Sequence, residues 1–60
     1  MNKEEITNRI EFLENILKFY KSELTSIPKS NFYSTLVKEF YSTLVKETEI
    51  EIDSLKDLLK

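Results

Sequence analysis

The sequence contains no cysteine, histidine, tryptophan, glycine or alanine, and only one proline. Each absence closes a route. Without cysteine there is no disulfide to staple a small chain and no thiolate nucleophile. Without histidine the commonest metal ligand and the commonest general base are both missing. Without glycine and with a single proline, little is left to interrupt a helix. Long hydrophobic runs are absent too. No more than two apolar residues stand together, where a membrane span needs about 20. A spanning helix or a signal segment is not expected, no membrane partner is implied, and the default location is the cytoplasm.

Charge gives little direction. Nine basic residues oppose eleven acidic ones, for a net charge of −2. The first thirty residues hold five of each sign, so the acidic excess lies in the second half. That pattern is neither the basic footprint of a nucleic-acid binder nor an acidic tail.

What remains is a helix-forming composition, 33% charged and 40% hydrophobic over 60 residues. So short a chain buries a modest fraction of its surface when it folds alone. The usual supports are disulfides, metals or oligomerisation, and the first two lack their ligands here.

The organising stretch is a tandem repeat. Residues 32–39 read FYSTLVKE, and residues 40–47 read FYSTLVKE again. Eight residues turn a helix through about 800°, so equivalent positions of the two copies differ by about 80°. Downstream, Tyr41, Val45, Thr48, Ile52, Leu55 and Leu59 follow alternating steps of four and three, a coiled-coil-like seam. Tyr33 and Val37 are rotated away from the positions that Tyr41 and Val45 occupy, and Phe32 and Leu36 swing to the seam's edge or beyond it. Two copies can thus compete for one packing site. Removing one copy leaves 52 residues with helical stretches of nearly equal length, which suggests a parent hairpin extended by duplication.

Before the repeat the periodicity is unbroken. Ile6, Ile10, Leu13, Leu17, Tyr20, Leu24 and Ile27 also step by four and three. Asn2 is a good N-cap, with Glu5 three residues on as in a capping box. Glu4 and Glu5 suit the positive end of the helix dipole. A second stripe of Phe12, Ile16 and Phe19 widens the apolar face beyond what one neighbouring helix covers. Pro28 disfavours helical angles at Ile27 and ends the helix, and Ser30 or Asn31 can cap the next one. The pattern predicts a single domain over 1–60, with a helix over about 3–25, a turn at 26–30 and a helix over about 31–59. The first repeat copy is the ambiguous stretch. Its Phe, Tyr, Ser, Thr and Val are weak helix formers, so a loop there is an alternative.

Candidates for chemistry are few. Glu47 and Glu51, Glu49 and Asp53, and Asp53 and Asp57 are carboxylate pairs four residues apart, read as a solvated acidic face. Arg9, Lys18, Lys21 and Lys29 are interspersed with Glu11, Glu14 and Glu23, which leaves the local field close to neutral. A Ser or Thr nucleophile would need a base, and none is at hand.

The expectation is therefore all-α: an antiparallel helical hairpin that dimerises into a four-helix bundle. It has no catalytic residue, metal or cofactor. The residues expected to carry self-association are Ile6, Ile10, Phe12, Leu13, Ile16, Leu17, Phe19, Tyr20, Leu24, Tyr41, Val45, Ile52, Leu55 and Leu59. The partner is a second copy of the chain, or another protein. The alternatives are a small regulatory nucleic-acid-binding dimer and an inhibitor that docks on one protein.

Overall fold

A computed structural model describes residues 2–28 and 32–60. Two helices, α1 (Lys3–Ser26) and α2 (Phe32–Asp57), pack against each other as an antiparallel hairpin. The molecule measures 46 × 14 × 13 Å, the shape of two long rods side by side.

Local chemistry sets the ends of α1. The Asn2 side chain accepts a hydrogen bond from the Glu5 amide at 2.8 Å, and the Asn2 carbonyl accepts one from Ile6 at 3.1 Å. One donor that the first turn would leave unsatisfied is thereby paired by the cap. At the other end Thr25 and Ser26 both donate their hydroxyls to the Ser22 carbonyl, at 2.8 and 3.1 Å. Such back-bonding competes with the helical ladder and loosens a terminal turn. Ile27 then adopts φ −75° and ψ 127°, the extended geometry that a following proline enforces. Replacing Asn2 by alanine is expected to lower stability by about 1 kcal/mol. A urea midpoint unchanged from the parent chain would show that the cap is idle.

The first repeat copy is helical, so α2 begins with it. Its weak propensity is overridden by packing of α2 along α1, with Val37 half-buried. The Ser30 and Asn31 caps expected for α2 lie outside the described residues. At its C-terminus α2 stops at Asp57, two residues short of the expected end. The amides of Leu58, Leu59 and Lys60 there bond to carbonyls three residues back, which tightens the last turn.

The lengths revise the idea of a parent hairpin. With both copies present the helices contain 24 and 26 residues. Taking eight residues from the 26 of α2 leaves 18 against the 24 of α1. The repeat is what lets α2 run alongside the last turns of α1.

The core sits toward the end where the two chain termini meet. Ile6, Ile10 and Leu13 of α1 and Ile52 of α2 are buried, with Leu17, Leu55 and Leu59 packed around them. Toward the loop the seam continues through half-buried Tyr20, Leu24, Tyr41, Val45 and Thr48. Ion pairs flank it on both sides: Arg9–Glu51 at 3.7 Å on one, Lys21–Glu49 at 3.6 Å and Lys56–Glu14 at 3.8 Å on the other. All six side chains are about half exposed, and each such pair contributes about 1 kcal/mol or less. Their main effect is to fix the rotation of each helix.

Candidate association surface

The two flanks of the hairpin differ in kind. At about 100° per residue, Phe12, Ile16 and Phe19 lie to one side of the α1 seam. On α2 the residues turned to the same side are Tyr33, Leu36, Phe40 and Leu44. Ring contacts confirm the placement. Phe19 lies 6.1 Å from Tyr20, Tyr20 lies 5.9 Å from Tyr41, and Tyr41 lies 5.6 Å from Phe40, between centroids. The four rings form a ladder across the hairpin, with the tyrosines in the seam and a phenylalanine at each outer edge. Separations and tilts of this kind are the favoured ones for aromatic pairs.

These outer side chains face solvent. Phe12 is 53% exposed, Phe19 56% and Phe40 61%. Leu36 and Tyr33 are also exposed, while Ile16 and Leu44 are half-buried at the edge of the seam. Arg9 closes one end of the patch. Its guanidinium lies 5.5 Å from the centroid of the Phe12 ring while reaching Glu51. The cation thus covers part of a ring that α2 leaves bare.

The opposite flank is polar. Its surface clefts are lined by Thr35, Lys38, Glu39, Ser42, Thr43 and Lys46, and by Glu14, Leu17, Glu49, Ile52, Asp53 and Lys56. A further cleft of about 590 Å³ near the loop is bounded by Leu24, Thr25, Ile27, Pro28, Ser34, Thr35 and Lys38. It marks where the eight-residue period has rotated the first copy. Counting back by seven from Tyr41 and Val45, the seam asks for apolar residues at 34 and 38, and the chain supplies Ser34 and Lys38. Tyr33 is carried out to the flank, as the 80° offset requires, while Val37 stays half-buried. The second copy therefore holds the seam, and the first contributes mainly to the flank.

The residues expected to carry self-association divide into two sets. Ile6, Ile10, Leu13 and Ile52 are buried within the hairpin. Leu17, Tyr20, Leu24, Tyr41, Val45, Leu55 and Leu59 are half-buried along the same seam. Phe12, Ile16 and Phe19 lie outside it. The structure joins to them Leu36, Phe40 and Leu44, which the seam pattern alone passes over. The signal for these three was present in the sequence. Four-residue steps place them on one ridge of α2, and the duplication puts a leucine on either side of Phe40.

Among the described residues no three acidic, histidine or cysteine side chains cluster as a metal site, and no helix is long and apolar enough to cross a membrane. Comparison with protein families, with curated proteins and with solved structures finds no match.

Proposed function

We propose that this chain is a non-catalytic interaction module that self-associates through its apolar flank, two hairpins closing into a four-helix assembly. The observation that carries the reading is the grouping of Phe12, Ile16, Phe19, Leu36, Phe40 and Leu44 on one flank of a hairpin whose opposite flank is polar, with Phe32 and Ile50 exposed apart from it on the outer face of α2. Single exposed apolar residues are ordinary, whereas a contiguous patch with a polar surround marks an interface.

Area supports the same conclusion. The chain exposes 4792 Å², where a compact monomer of 7.2 kDa exposes about 4,100 Å² by the usual mass scaling. The surplus of roughly 700 Å² is close to one partner's share of a standard interface, about 800 Å². A second copy is the simplest source of that cover, because it brings the same apolar patch to meet this one. Nucleic-acid binding draws less support. Arg9, Lys21 and Lys56 are each engaged with a carboxylate across the seam, which leaves little uncompensated positive field for phosphates.

The test is sedimentation across a concentration series, for the parent chain and for a Phe19→Ser/Phe40→Ser double variant. The parent should sediment as a dimer and the variant as a monomer of similar helicity. Central aromatic anchors each contribute about 2 kcal/mol or more to an interface, and a symmetric dimer loses two from each copy, so the dissociation constant should rise by at least about a thousandfold. A parent chain that stays monomeric and fully helical at every concentration would sink the proposal.

A further inference from the structure

The face does more than favour a second copy; it constrains how that copy docks. We propose that the partner lies antiparallel, related by a two-fold axis passing beside Phe40, so that Leu36 of each chain meets the partner's Leu44. This rests on the self-association reading above and adds an orientation to it.

The argument begins with the repeat. Leu36 and Leu44 are the same position in the two copies, eight residues apart, and Phe40 stands midway between them. Steps of four keep all three on one i±4 ridge of α2, the ridge type that helices most often interlock. In an isologous dimer residue i touches j and j touches i. Reversing α2 about Phe40 exchanges Leu36 with Leu44, so leucine lands on leucine and phenylalanine on phenylalanine. An eight-residue duplication within a helix thus generates a ridge that reads the same in both directions.

The aromatic ladder places α1 consistently. Phe19 is tied through Tyr20 and Tyr41 to Phe40, so it stands at the level of the axis. Both copies of Phe19 and both copies of Phe40 then gather around that axis. Fully desolvated aromatics at the centre of an interface are where binding energy concentrates.

Charge selects antiparallel over same-end pairing. Past Leu44 the same side of α2 continues into Glu47 and Glu51, whereas past Leu36 it ends in Tyr33 without charge. Same-end docking would bring Glu47 and Glu51 of both chains together, with each Arg9 already committed to its own Glu51. Juxtaposed like charges at an interface select against that arrangement. Antiparallel docking sends the two Glu47–Glu51 ends apart and lays each beside the partner's Tyr33 end, where Glu23 of α1 is the one acidic residue on this side.

The chain has no cysteine, so introduced thiols report on docking without interference. Leu36→Cys and Leu44→Cys variants, each confirmed helical and dimeric, are mixed in equal amounts, oxidised and resolved by mass spectrometry. The mixed 36–44 disulfide should exceed either homodisulfide by about tenfold, the ratio set by about 1.4 kcal/mol of orientational preference. Phe40→Cys alone should form its own homodisulfide, because its Cα atoms at the axis come within the roughly 7 Å a disulfide can bridge. Excess 36–36 and 44–44 products would establish same-end pairing and overturn the inference. A dimer that yields none of these disulfides would overturn it too, leaving self-association intact. A parent chain that sediments only as a monomer would remove both.

Discussion

Replacing Ile52 by alanine is expected to lower the stability of the hairpin by about 2–5 kcal/mol. Ile52 is 5% exposed and is the one buried residue of α2 among the core residues. Ile6, Ile10 and Leu13 close over it from α1. Truncating a buried isoleucine to alanine costs about 2–5 kcal/mol, through lost transfer energy and the cavity left behind. A 60-residue domain has about 3–9 kcal/mol of stability in total. The substitution therefore removes between about a fifth and all of the hairpin's stability. In a domain this small the melting temperature should fall by at least about 8 °C, with a parallel loss of helical circular dichroism. Under the proposed self-association the drop should be larger at low protein concentration, because a bound second copy stabilises the folded hairpin. A variant that melts within a degree or two of the parent would mean that the buried cluster is not what holds the helices together.

Deleting one FYSTLVKE copy, residues 32–39, is the second large effect. The shortened α2 no longer reaches the last turns of α1, so Leu24 and Ile27 lose the cover that the first copy provides. Those turns are already loosened by the Thr25 and Ser26 back-bonds to Ser22, and they should fray. The outer ridge loses Leu36 and, with it, the symmetry about Phe40. Loss of about 2–4 kcal/mol at the interface corresponds to a dissociation constant raised by about 30- to 1,000-fold. Sedimentation and amide exchange on the 52-residue chain, beside the parent, read both effects. If the shortened chain dimerises as tightly as the parent and protects Leu24 equally well, the first copy has neither role.

The hairpin was largely legible in the sequence because its determinants are local. Asn2 with Glu5, the uninterrupted stripe from Ile6 to Ile27, and Pro28 each specify one feature through short-range chemistry. The helical state of residues 32–39 was not legible in the same way. Phe32, Tyr33, Ser34, Thr35 and Val37 have weak intrinsic preference for a helix, and the choice is made by packing against α1. The residues expected to carry self-association divide in the structure into those that the packing of the two helices covers and those left on the flank. Ile10 and Phe12 look alike in composition, and only the position of α2 reveals that one is covered and the other bare. Leu36, Phe40 and Leu44 fall outside the seam pattern because the seam follows steps of four and three, whereas this ridge advances by fours alone.

The link between Ser26 and Phe32 is short, and every tertiary contact in the hairpin spans that single connection. Loops of this size close in about 10–100 ns, and local helical topologies fold in microseconds to milliseconds. Intramolecular pairing of α1 with α2 is therefore fast compared with the diffusional meeting of two chains. Under the proposed self-association, a newly made hairpin at dilute concentration passes through an interval in which its phenylalanines are bare. The lifetime of that interval is governed by how many other copies are near, so expression level becomes the variable that decides how long the sticky side stays uncovered.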